Sequence, residues 1–146
     1  MLSNILQLEN VNVYRGPAHI IRDFSLEVKE GETVALLGRN GAGKTTLINA
    51  IIGILPPING KIKFKGQDIT HLPPHKRVKL GMGYAPDDRK IFTDLTVYEN
   101  ILIPIKNSKI DEKKALETIF SVFPKLRDLI NRKGLHLSGG EQKMLA

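Results

Sequence analysis

The sequence contains no cysteine. That excludes disulfides, thiol nucleophiles and cysteine metal sites, and it fits a reducing compartment. Aromatic residues make up only 5% of the chain, which leaves little from which to build a base-stacking nucleic-acid surface. The net charge of +7 would admit phosphate ligands, anionic lipid or nucleic acid, but the lysines and arginines are scattered. They read as a solvated basic surface, and no nucleic-acid partner is expected. Apolar runs such as "AIIGIL" are far too short to span a bilayer. The amino-terminal stretch "MLSNILQLENVNVYRG" lacks a basic start followed by a long apolar segment, so it is not a secretory signal. The four histidines, His19, His71, His75 and His136, are not spaced as metal ligands and read as surface residues. These exclusions describe a cytoplasmic protein that meets a membrane only through a partner.

What is present is an ordinary globular composition, with 41% hydrophobic and 25% charged residues over 146 positions. "ILQLENVNV" and "FSLEV" alternate apolar and polar residues, the pattern of half-buried strands. After "EGE", a turn, the run "TVALLG" has no polar alternation and predicts a fully buried strand of parallel type. "KTTLINAIIGIL" predicts a helix stopped by Pro56 and Pro57. "GKIKFKG" is a further alternating strand, "HLPPHKRVKLG" a short proline-started helix, and "MGYAP" a short buried strand. From there the pattern turns helical. Thr96 and Glu99 have capping-box spacing, and Ala115, Leu116, Ile119, Phe120 and Phe123 share one face of a helix. Ser138 and Glu141 repeat the capping-box spacing near the end of the chain. Together these elements argue an α/β core with a helical attachment.

The chemistry-bearing stretch is "GRNGAGKTT", Gly38 to Thr46, which fits G-x-x-x-x-G-K-[ST] without a gap. Gly41 and Gly43 let backbone N–H groups turn inward around phosphate oxygens, where a side chain would block the approach. Lys44 brings a positive charge to the β- and γ-phosphates. Thr45 offers a hydroxyl to Mg²⁺, and Thr46 a further polar contact near the α-phosphate. Arg39, Asn40 and Ala42 complete the loop. It follows an apolar strand and opens a helix, the context the motif requires. Taken alone, it leaves kinases, GTPases and many ATPases open.

Joined with "LSGGEQ", the loop resembles the ATPase subunits of ABC transporters, and the resemblance runs over essentially the whole chain. It implies a P-loop NTPase (RecA-like) core with an antiparallel β subdomain and a helical subdomain. It further implies that Ser138, Gly139, Gly140 and Glu141 cap ATP held by the phosphate loop of a facing subunit in a head-to-tail dimer. Tyr14 corresponds to the family's aromatic that stacks on adenine, with local packing at a strand end as the other reading. Asp87 occupies the family's glutamine-loop position, where an acidic residue can reach Mg²⁺ or its water, or serve as a surface turn residue. "DITHLPPHKRVKLGMGYAPDDRKIFTDLTVYENI" looks most like the ATPases of branched-chain amino-acid importers. Amide or urea importers and lipopolysaccharide-export ATPases share much of this wording, and these, or a non-transport ABC ATPase, are the alternative reading.

The organisation expected from the resemblance is residues 1–88 as nucleotide-binding core with β subdomain, 89–137 as helical subdomain, and 138–146 as signature motif with the start of its helix. The expected cofactors are ATP and Mg²⁺. The expected partners are a second ATPase subunit, membrane permease subunits and, indirectly, a solute-binding protein. In this family the carboxylate that polarises water, the aspartate of the same strand and a later histidine all follow the signature helix. No catalytic residue is therefore assigned within residues 1–146, and the chain is expected to be an N-terminal part ending before that strand. A further expectation is that "VALLG" and "MGYAP" do not pair, leaving Val34, Leu36, Met82 and Tyr84 exposed.

Overall fold

The structure, a computed structural model, describes residues 3–86, 88, 90–106 and 110–146. It divides into two compact units, residues 1–84 and 85–146.

The first unit is built on a long hairpin. Strand β1 (Asn4–Arg15) pairs antiparallel with β2 (Ala18–Lys29), and on its other edge with β3 (Asn59–Phe64), which pairs with the short β4 (Gln67–Asp68). The resulting sheet has the order β2-β1-β3-β4. Alternation in "ILQLENVNV" and "GKIKF" is what lets one face bury: Leu8, Val11, Val13, Ile21, Ile62 and Phe64 all lie in one apolar cluster. Helix α1 (Lys44–Ile52) contributes Leu47 and Ala50 to that cluster, and a short helix α2 (Pro74–Lys79) starts on proline as its sequence predicts.

Helix α1 ends earlier than Pro56. Gly53 caps it at φ 89, a left-handed conformation, and its N–H donates to the Asn49 carbonyl at 3.0 Å. The N–H groups of Ile54 and Leu55 also reach Asn49 O, at 2.9 and 3.1 Å. A glycine at this position closes the orphan carbonyls without steric cost, so it stops the helix before proline can. The prolines were the wrong stop signal.

Neither "TVALLG" nor "MGYAP" becomes a strand. Residues 32–39 and 82–86 make no strand pairing, and the two stretches do not pair with each other. Val34, Leu36 and Tyr84 are exposed as expected, and Leu37 is 88% exposed. Met82 differs, packing half-buried against the cluster. Apolar composition alone cannot hold a strand, because each backbone amide and carbonyl needs a neighbouring strand as partner.

The second unit is helical: α3 (Val97–Lys106), α4 (Glu112–Val122), α5 (Pro124–Asp128), a 3-10 turn at Gly134–His136, and α6 (Gly139–Leu145). Val97, Ile101, Leu126, Leu129 and Leu137 form its core, with Leu116, Ile119 and Phe120 of α4 packed against it. Ala115 is half-buried, while Phe123 falls at the end of α4 and is 39% exposed. The Thr96–Glu99 capping box is present: Thr96 N donates to Glu99 Oε2 at 2.8 Å, and Glu99 N to Thr96 Oγ1 at 3.2 Å. Residues 93–98 are tied to 130–135 through Val97 N to Arg132 O, Tyr98 N to Ile130 O and Gly134 N to Leu95 O. The start of α3 thereby fixes the chain that leads into α6.

Candidate functional site

The phosphate loop runs from Gly38 into the first turn of α1. Gly41 and Gly43 have φ of 83 and 93, values that side chains resist. Gly43 is constrained twice, because a Cβ there would lie 2.9 Å from Ile21 Cδ1 and 3.0 Å from Ile20 Cγ2. The loop is thus pressed against β2 at its last glycine. Ala42 N donates to Arg39 O at 3.1 Å, closing the turn through Asn40 and Gly41.

Gly43 is the N-cap of α1 and supplies no side-chain acceptor to the first-turn amides. A helix start in this condition presents bare N–H groups and the positive end of the helix dipole, which together suit an anion. Lys44 lies across the loop, its Nζ donating to Gly38 O at 2.6 Å and to Arg39 O at 2.8 Å. Thr45 is exposed, whereas Thr46 is buried against the core. These residues fit a polyphosphate: bare amides, an ammonium held across the loop and an exposed hydroxyl for a cation shell.

A residue that pattern reading missed holds the other end of α1. Arg77 is fully buried, and its guanidinium donates to Ala50 O at 2.9 Å, Ile51 O at 2.6 Å, Leu72 O at 2.7 Å and Thr70 O at 3.0 Å. Burial lowers its pKa from the ordinary value, yet a guanidinium stays charged. A cation among the last carbonyls of α1 offsets the negative end of the helix dipole. The sequence carries only the faint signal of an arginine following a proline-started helix turn.

Tyr14 sits at the end of β1, opposite His19 of β2. The two rings stack with centroids 4.2 Å apart and planes 8° from parallel. His19, read from its spacing as a surface residue, is half-buried and stacked on Tyr14. Leu47 and Ala50 of α1 share the apolar cluster with Val13 and Ile21, so Tyr14 and the phosphate loop belong to one packed body.

In the second unit, Ser138 is the N-cap of α6 with a complete capping box. Ser138 N donates to Glu141 Oε2 at 2.8 Å, and Ser138 Oγ accepts from Glu141 N at 3.4 Å. Lys125 of α5 pairs with Glu141 Oε1 at 2.9 Å. The backbone hydrogen bond from Ser138, together with Lys125, holds the Glu141 carboxyl at a pKa of about 2. Gly139 and Gly140 follow as the first helical residues, both exposed. Asp87 lies outside the described residues. Among the described residues no group of three or more His, Asp or Glu could hold a metal ion. Nor is any helix among them long and apolar enough to cross a membrane.

A loop of this geometry at the head of a helix packed by one face on the sheet's apolar cluster defines a P-loop nucleotide-binding domain. Residues 21–146 match the ABC transporter family, and the chain belongs to it. It is 37% identical, over 97% of its length, to a probable branched-chain amino acid transport ATP-binding protein, LivF, of Archaeoglobus fulgidus, and spans 61% of that protein. It is 34% identical, over 97% of its length, to the lipopolysaccharide export ATP-binding protein LptB of Acidithiobacillus ferridurans, spanning 60% of it. Among solved structures, a dimeric post-hydrolysis state of the ATP-binding cassette MJ0796, bound to ADP and Pi, superposes with a TM-score of 0.81. That match is 26% identical and covers 96% of this chain and 66% of that one. The chain therefore spans about three-fifths of the length of these two curated relatives.

Proposed function

We propose that the chain is the nucleotide-holding part of an ABC importer ATPase, which couples ATP binding and hydrolysis to solute uptake, with branched-chain amino acids as the solute class. The observation that carries this reading is the uncapped start of α1, with Gly43 pressed on β2 and Lys44 lying across the loop.

Gly38, Arg39, Asn40, Gly41, Ala42 and Gly43 wrap the polyphosphate with backbone amides, and Lys44 neutralises its charge. Thr45 would hold Mg²⁺, with Asp87 as the further candidate that the glutamine-loop position offers, and Thr46 adds a polar contact near the α-phosphate. Tyr14 takes the base. Mg-ATP, when bound, supplies the phosphoryl group and the charge that the loop is arranged to neutralise. Ser138, Gly139, Gly140 and Glu141 face the nucleotide of a second subunit. In this reading residues 1–88 form the core, 89–137 the helical subdomain and 138–146 the signature. The assembly lies at the inner face of the membrane against permease subunits that receive solute from a binding protein.

The experiment is a Mg-ATP titration of this chain and of Lys44→Ala. Binding by the first and severe weakening in the second supports the reading; equal affinities would overturn it.

A further inference from the structure

We infer that His19 is a positioning residue for the nucleotide base: it covers one face of Tyr14 and leaves the opposite face as the docking surface. This rests on the reading of Tyr14 as the base-stacking residue.

The argument begins with what fixes His19. Its Nε2 lies 2.8 Å from Asn12 Oδ1, and Asn12 is itself only 8% exposed. The orientation of the Asn12 amide follows from its other partners. Its Nδ2 donates to Asp23 Oδ1 at 2.8 Å and to Asn10 O at 3.0 Å, while its Oδ1 accepts from Asp23 N at 3.1 Å. Oδ1 is thus an acceptor, and the network assigns the proton on the facing imidazole nitrogen to Nε2. With Nε2 tied to Asn12, the imidazole plane is set by the hairpin.

That plane is 8° from the Tyr14 ring at 4.2 Å, so the phenol is held from one side. Tyr14 retains 37% exposure with that face covered, surface enough for a base to stack on the side away from His19. The hairpin also places the pair beside the phosphate loop. His19 directly precedes Ile20 and Ile21, the residues against which Gly43 is pressed. A fixed aromatic plane next to a polyphosphate cradle is the geometry a nucleotide needs at its two ends. Holding the ring before the ligand arrives removes the rotamer freedom that binding would otherwise have to restrict.

Two probes separate base from phosphate: Mg-ATP, and inorganic tripolyphosphate with Mg²⁺. His19→Ala should weaken ATP binding by about three- to tenfold, the range for loss of one aromatic stack, and leave tripolyphosphate binding unchanged. His19→Phe, which keeps a ring on Tyr14, should recover most of the loss. Unchanged or tighter ATP binding by His19→Ala would overturn the inference, as would equal losses for both probes or no recovery in His19→Phe. Tyr14→Ala distinguishes this from the reading beneath it. If Tyr14→Ala binds ATP normally, the base site itself is misplaced; if it binds poorly while His19→Ala binds normally, only the role of His19 fails.

Discussion

Two helices in this chain begin at glycine-containing turns, and they begin in opposite ways. Helix α1 starts from Gly43, with no side chain capping its first amides. Helix α6 starts from Ser138, with both halves of a capping box closed and Lys125 bound to the capping carboxylate. The first leaves its N-terminal donors for something else to satisfy. The second satisfies two of them within the protein and keeps Gly139 and Gly140 exposed. The difference teaches that the same feature, a helix start near glycines, can be either ligand-dependent or self-supported. Which one it is depends on the residue at the N-cap.

The largest expected effect tests what stands behind α1. Arg77→Met should destabilise the first unit by about 3 kcal/mol or more, because several buried carbonyls lose a charged donor at once. Urea unfolding followed by circular dichroism measures this, and a change within about 0.5 kcal/mol would show that α1 needs no support at its C-terminus. Next comes Lys44→Ala, expected to weaken ATP binding about ten- to a hundredfold through loss of one charge-assisted phosphate contact, with little change in stability. Isothermal titration reads that result.

Smaller effects belong to α6. Ser138→Ala should cost about 1 kcal/mol of stability in the second unit, since one cap is lost while packing stays. Denaturant unfolding of the variant beside wild type checks it; no loss would mean that Lys125 and Glu141 suffice. The pH dependence should be milder still. The Glu141 carboxyl is held below its ordinary 4.5, at about 2, so the folded state binds fewer protons there than the unfolded chain. Its contribution is full above about 4.5 and fades as pH falls toward about 2. Acid titration of wild type against Glu141→Gln should show the curves converging across that interval. Parallel curves would remove Glu141 as the source.

What was legible in the sequence was what is local. Both capping boxes and the proline-started α2 depend on residues a few positions apart, and each forms as read; the glycine loop opens α1 as read, but without the strand expected before it. The stop of α1 was misread because proline is a stronger breaker than glycine in isolation, while Gly53 comes first along the chain. "TVALLG" failed as a strand because strand formation depends on partners that a single stretch cannot reveal. Arg77 and His19 were missed for a related reason. Their partners lie up to 27 residues away for Arg77, and across a hairpin with irregular register for His19. Neither arrangement leaves a periodic trace.

The β1–β2 hairpin, joined by only Gly16 and Pro17, bears on the order in which the first unit assembles. Its contacts are short-range along the chain, whereas β3 and the approach of Gly43 to β2 close longer loops. Short loops close at lower entropic cost and form in about 1–10 microseconds for an isolated hairpin. The pairing of Tyr14 with His19 should then precede the winding of the phosphate loop, with Ile20 and Ile21 waiting as the surface on which Gly43 settles. Pulse-labelled hydrogen exchange during refolding would show this as protection of Val13 and Ile21 amides before that of Leu47. The plane that receives the base would be a template for the cradle that receives the phosphates, and a chain with a damaged hairpin would lose the cradle in time before losing it in structure.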